Sequence, residues 1–87
     1  MLKVCRANID KAGGIILGGS STVSIDGYPV ALEGNRVANH GNNEHSSPIV
    51  INGTSRFVVD GLPVIVEGLS KATCGHIASS NSSVVTA

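Results

Sequence analysis

Apolar residues in this chain come in short runs rich in Val and Ile, each cut off by glycine, Asp-Gly or proline. Runs of this length, bounded by turn formers, predict short β-strands. Two Asp-Gly dipeptides, Asp26-Gly27 and Asp60-Gly61, mark two-residue turns that tolerate positive φ and match the twist of paired strands. The flanking runs predict strands over Ser21–Ile25 and Tyr28–Leu32, and again over Ser55–Val59 and Leu62–Val66. Pro29 and Pro63 each remove one ladder donor two residues after the turn, which places them at strand ends or edges. Gly34 and Gly68 end these strands.

The two hairpin patterns are copies. Gly19–Gly34 and Gly53–Gly68 are 34 residues apart, and eight of their sixteen positions are identical. A third copy is split between the chain ends. Ile77–Thr86 aligns with Ile49–Val58 at a shift of 28, and Leu2–Gly13 aligns with Val30–Gly41 at the same shift. Residues 1–87 thus read as a single domain of three repeats, in which Leu2–Cys5 is expected to pair with Ser82–Thr86. Such pairing would close a pseudo-threefold object and cover strand edges that otherwise stay open.

Composition narrows the function. At 87 residues the chain has room for one modest core, and a domain this small commonly needs an added staple. Net charge is zero and charged residues make up 14%, which is no electrostatic footprint for nucleic acid or an anionic membrane surface. Tyr28 and Phe57 are the only aromatic residues, too few for a base-stacking platform. The N-terminus lacks an apolar stretch of signal-peptide length, and no run of 18 apolar residues occurs. Synthesis in a cytoplasm is therefore expected. Cys5 and Cys74 are too few for a disulfide framework, and a Cys5–Cys74 bridge is disfavoured where thiols stay reduced.

The residues able to carry chemistry lie in the segments joining repeats. All three histidines, His40, His45 and His76, fall near Cys74 in repeat register: His40 and Cys74 are 34 residues apart, while His45 and His76 precede Ile49 and Ile77. Three imidazoles and a thiolate at one end of a symmetric object suit tetrahedral zinc, with iron also compatible. The alternative is a set of ordinary polar loop residues, the better reading for any one histidine alone. A hydrolase reading fails on spacing. His40 and His45 are at i and i+5 across Gly41-Asn42-Asn43, not one helical turn apart, and four protein ligands leave no position for water. Glu44 is accordingly read as a solvated carboxylate and not as a general base. The glycines of Gly14–Ser20 lack the lysine of a phosphate loop and read as turn residues. Asn52-Gly53-Thr54 and Asn81-Ser82-Ser83 match the glycosylation sequon, which means little without a secretory signal.

Over nearly its whole length the chain resembles the PAAR-repeat family. The resemblance is carried by Gly19–Ala31, by its second copy through Pro63-Val64, and by the His40, His45, Cys74, His76 set. The eponymous Pro-Ala-Ala-Arg is replaced by Pro29-Val30-Ala31-Leu32 and Pro63-Val64-Ile65-Val66. The resemblance implies an all-β, conical, pseudo-threefold domain of short hairpins, with zinc or iron bound near the apex by those four residues. It implies a structural protein, not an enzyme. One monomer would cap a trimeric β-helical spike, either a phage central spike or a VgrG-like type VI spike, and touch the target outer membrane transiently. The short chain is most similar to the tip of a contractile, T4-like bacteriophage tail, which implies a place in the virion at the tip of the baseplate spike. A small metallohydrolase and a free-standing metal-binding module are the competing readings.

Overall fold

Ten short strands and one 3-10 turn make up the regular structure of residues 2–86, the part of the chain described by the computed structural model. In chain order the strands are β1 (Leu2–Lys3), β2 (Lys11–Ala12), β3 (Gly14–Ile15), β4 (Ser24–Ile25), β5 (Tyr28–Pro29), β6 (Val50–Ile51), β7 (Thr54–Val59), β8 (Leu62–Val64), β9 (Lys71–Ala72) and β10 (Val85–Thr86). The 3-10 turn spans Asn43–His45. Met1 and Ala87, taken above as the outer limits of the repeats, and the side chain of Glu44, weighed above as a base, lie outside the described residues.

Both Asp-Gly turns form. Asp26, Gly27, Asp60 and Gly61 all have positive φ, between 53° and 84°, as a tight hairpin turn between right-twisted strands requires. They join β4 to β5 and β7 to β8. The first hairpin is shorter than expected, and the reason is local. The Ser20 hydroxyl accepts the backbone N–H groups of Thr22 and Val23, drawing them out of the ladder. Thr54 and Ser82 repeat the device, accepting from Arg56 N–H and Val84 N–H. In the second hairpin the ladder survives but shifts register between Thr54 and Val58.

The threefold character is written in backbone hydrogen bonds. Cys5 N–H donates to the carbonyl of Ile65, Ile65 N–H to that of Ala31, and Ala31 N–H to that of Cys5, at 2.9, 2.9 and 3.0 Å. A second cycle runs outside it: Ala7 to Pro29, Glu33 to Pro63 and Glu67 to Lys3, at 2.7 to 2.9 Å. The prolines act here only as acceptors, so their missing N–H costs nothing. β1 pairs with β10 in antiparallel register, Leu2 opposite Thr86 and Lys3 opposite Val85, so the two chain ends meet as expected.

The register of the N-terminal segment differs from the expected one. The cycle places Cys5 with Ala31 and Ile65, a shift of 26 from Cys5 to Ala31, where the alignment at 28 had put Lys3. Strand side chains alternate with period two, so a slip of two residues keeps every side chain on its face and apolar pattern cannot detect it. Backbone conformation can. Asn8, Gly34 and Gly68 occupy equivalent places after the cycle with φ of 70°, 93° and 86°, and asparagine is among the few residues besides glycine to tolerate that region.

Two apolar layers stack along the axis. Val4, Ile25, Val30, Leu32, Val59, Val64 and Val66 fill the layer beside the hairpins. Cys5, Ala31 and Ile65 belong to the second layer with Ala7, Ala12, Ile16, Val37, Val50, Ala72 and Ala78. Six short segments close around this second layer: 11–12, 14–17, 36–37, 49–51, 71–72 and 77–79. Closure comes from the pairings Lys11–Ile15, Ile16–Val37, Arg36–Ile49, Val50–Ala72, Lys71–Ile77 and Lys11–Ser79. A ring of strands leaves no open edge. The molecule measures 32 × 24 × 22 Å, one long axis and two similar short ones.

Candidate metal centre

Beyond Ala12, Ala38 and Ala72 the ring gives way to three loops whose equivalent positions are Gly14, His40 and Cys74. The loops differ in length: Ile15 follows Gly14 at once, Ile77 follows Cys74 by three residues and Ile49 follows His40 by nine. The long loop turns back through the 3-10 turn, where His45 N–H bonds Asn42 O at 3.1 Å and His40 N–H bonds His45 O at 3.0 Å. That closure brings His45 beside His40. The short Cys74 loop turns at Gly75, whose N–H reaches Ala72 O at 2.9 Å, and sends His76 back toward the same point.

All four expected residues come together. One donor atom from each of His40, His45, Cys74 and His76 lies within 4.8 Å of the others. His40 Nε2 is 3.1 Å from His76 Nδ1, 3.2 Å from His45 Nδ1 and 3.4 Å from Cys74 Sγ, and Cys74 Sγ is 3.4 Å from His76 Nδ1. A tetrahedron with metal–nitrogen bonds near 2.05 Å and a metal–sulfur bond near 2.3 Å has edges of about 3.3 Å and about 3.6 Å. These four separations are close to those edges. Ring centroids stand 5.0 to 5.1 Å apart with planes at 40° to 61°, so the three imidazoles fan around one centre.

Hydrogen bonding alone does not account for this convergence. His40 Nδ1 lies 2.9 Å from the Ala38 carbonyl. A carbonyl only accepts, so Nδ1 carries the proton and Nε2 of the neutral ring presents a single lone pair. That lone pair faces three other donor atoms at once, which suits a shared cation. The Ala38 carbonyl also sets the ring's orientation, the usual role of the outer partner of a ligating histidine.

The third loop contributes space and no ligand. A Cβ at Gly14 would lie 2.4 Å from the Ala38 oxygen and 2.9 Å from His40 Nδ1. At Gly13, where φ is +89°, it would lie 2.2 Å from His76 Nδ1 and 2.7 Å from His40 Nε2. Gly14 was read from sequence as a turn residue only, and Gly13 only as the end of a repeat copy. The alignment of Ala12 with Ala38 and Ala72 is the signal that would have set Gly14 against His40 and Cys74.

The other cysteine lies elsewhere. Cys5 and Cys74 are both free thiols. Cys5 is fully buried in the axial layer, and desolvation, reinforced by Asp10 and Glu67, pushes its thiol up to about 12. It stays protonated and is no metal ligand. Cys74 is half-buried and packs against the inner layer, so it is joined to the core more closely than its loop position suggested.

A family model described as PAAR motif matches residues 8–79 of the chain. A search among curated proteins gave no match.

Proposed function

The chain belongs to the PAAR-motif family, a family of spike-tip domains, and on that premise we propose that it is a metal-stabilised cap for the trimeric β-helical spike of a contractile tail. The observation that carries this reading is the Cys5–Ile65–Ala31 hydrogen-bond cycle, by which a single chain acquires threefold form. One such monomer can offer equivalent contacts to three spike chains, with Leu2–Gly13 and Ile77–Thr86 read as the two halves of a third repeat. The face for the spike is the hairpin end, where Val58, Leu62 and Val85 are exposed at 54%, 43% and 42%. Apolar side chains and strand ends there can stack on the last turn of a β-helix.

His40, His45, Cys74 and His76 would hold one metal, most simply zinc given three nitrogens and a sulfur. Bound there, the metal supplies cohesion to loops that have no apolar core of their own, and four protein ligands close its coordination sphere. The role is mechanical: a rigid point that concentrates the force of sheath contraction on a small area of the target envelope. A contractile phage tail is the setting we favour from the sequence resemblance; a type VI spike would offer the same threefold surface.

Native mass spectrometry with a trimeric β-helical spike fragment tests the reading. One chain per trimer is expected. No complex, or three chains per trimer, would overturn it.

A further inference from the structure

Net charge is zero over the chain, yet the charges are not evenly spread. Five of the six carboxylates are engaged elsewhere, Asp10 and Asp26 with Arg6, Asp60 with Ser20 and Thr22, Glu33 with Gly53 N–H and Glu67 with Ser80 N–H, while the sixth, Glu44, lies in the Asn43–His45 turn with its side chain outside the described residues. The six-segment ring next to the metal centre points its small and branched residues inward. Its outer face alternates cation and aliphatic side chain around the circumference, with Lys11 paired to Ile15, Arg36 to Ile49 and Lys71 to Ile77. The three isoleucines are pseudo-threefold equivalents at spacings of 34 and 28, and they are 37%, 37% and 55% exposed. Leu17, 40% exposed, extends the apolar surface beside Arg36. Among the described residues, neither Lys11, Arg36 nor Lys71 forms an ion pair, and the ring segments themselves carry no acidic residue.

We propose that this collar is a contact surface for an anionic lipid bilayer. The choice of occupant rests on charge and polarity complementarity. Cations at headgroup depth attract lipid phosphates, while isoleucines set between them reach the acyl boundary, the division of labour of interfacial amphipathic surfaces. A nucleic acid would use the cations but leave the isoleucines in water, and the collar has no aromatic residue on which bases could stack. The inference rests on the spike-tip reading, in which the hairpin end faces the spike and the collar lies toward the target. It means that neutrality of the whole chain hides a cationic, apolar belt created by folding.

The test is co-sedimentation of the metal-loaded protein with phosphatidylcholine vesicles and with mixed phosphatidylcholine–phosphatidylglycerol vesicles. Binding is expected to the mixed vesicles, weakening as salt rises. Replacing the cations together (Lys11→Ser, Arg36→Ser, Lys71→Ser) should lower it on the order of 100-fold. Replacing the isoleucines together (Ile15→Ser, Ile49→Ser, Ile77→Ser) should abolish binding that persists at high salt. Metal content, melting temperature and spike binding, measured on each variant, separate collar failure from misfolding and from failure of the spike reading. Equal binding to both vesicle types, unchanged binding by the cation variant, or preference for a DNA duplex over vesicles would overturn the proposal. So would self-association that the isoleucine variant removes. If a triple variant does not fold, the salt and lipid dependence of the unmodified protein decides.

Discussion

The Ser80 hydroxyl donates to the Asp10 carboxylate at 2.8 Å, joining residues 70 positions apart in the chain. Asp10 in turn accepts from the backbone N–H, Nε and a terminal nitrogen of Arg6 at 2.7 to 3.2 Å. Arg6 and Asp10 are each 5% exposed, so this is a buried, fully engaged cluster tying the C-terminal segment to the N-terminal one. Arg6 extends it to Asp26 on the first hairpin turn, and donation to the Asp10 carboxylate holds its guanidinium charged.

Asp10→Ala should therefore be among the most damaging single changes. It removes the buried partner of the Arg6 guanidinium and leaves only the exposed Asp26, at a cost of about 3 kcal/mol. Ser80→Ala should cost less, about 1 kcal/mol, because Asp10 retains its other donors. Chemical denaturation measures both; equal, small effects would show that the chain ends are not held by this cluster.

If His40, His45, Cys74 and His76 hold a metal as proposed, its removal should loosen the loops that carry them while leaving the axial layers intact. A chelator, or His45→Ala, is expected to lower the melting temperature and the metal content together. Protons compete with metal for these ligands, so acidification acts in the same direction. Elemental analysis alongside calorimetry checks this, and a melting curve indifferent to chelator would remove the metal from the account of stability.

Gly14→Ala places a methyl group against the Ala38 carbonyl that orients His40. Metal affinity should fall roughly 10- to 100-fold, the effect typical of disturbing an outer partner of a metal ligand. Competition with a chromogenic chelator reads the change. Backbone pairing in the hairpins, followed by hydrogen exchange, should be unaffected.

Asp60 accepts from the Thr22 hydroxyl at 2.6 Å and the Ser20 hydroxyl at 2.7 Å, and these bonds hold its carboxyl below the ordinary range. A lowered folded-state value means its contribution is present above the unfolded carboxylate range, near pH 4, and is lost as pH falls through the folded value. Asp60→Asn should thus lower the melting temperature at neutral pH, and the gap to the parent protein should close in stronger acid. A gap independent of pH would show that the carboxylate charge is not what matters.

Cys5 and Cys74 should react very differently with iodoacetamide. Cys74 is half-buried and should label once any bound metal is removed, whereas Cys5 is buried and protonated and should label only on unfolding. Because burial raises the Cys5 value from 9.0 to about 12, its contribution to stability is complete below about 9 and declines as pH rises toward 12. Mass spectrometry of the labelled protein counts the two events.

Much of the site was legible because repetition makes position visible. His40 and Cys74 stand 34 residues apart in copied segments, which was enough to bring two candidate ligands to equivalent places without coordinates. His45 and His76 were harder, since their loops break the repeat, yet both come just before the strand that re-enters the ring. Gly13 and Gly14 escaped notice because a glycine that makes room for its neighbours looks the same in sequence as one that makes a turn.

Strand type and hairpin turns were set by local chemistry, Asp-Gly conformational preference and short branched runs, while the internal repeat foretold the meeting of the chain ends and the gathering of the histidine and cysteine donors. Tertiary structure alone decided the register of Leu2–Arg6, the Arg6–Asp10–Ser80 cluster and the gathering of Lys11, Arg36 and Lys71 on one belt. The reason is physical. Strand pattern repeats every two residues and cannot see a slip of two, and only closure of the Cys5–Ala31–Ile65 hydrogen-bond cycle selects one register and, with it, which distant side chains become neighbours.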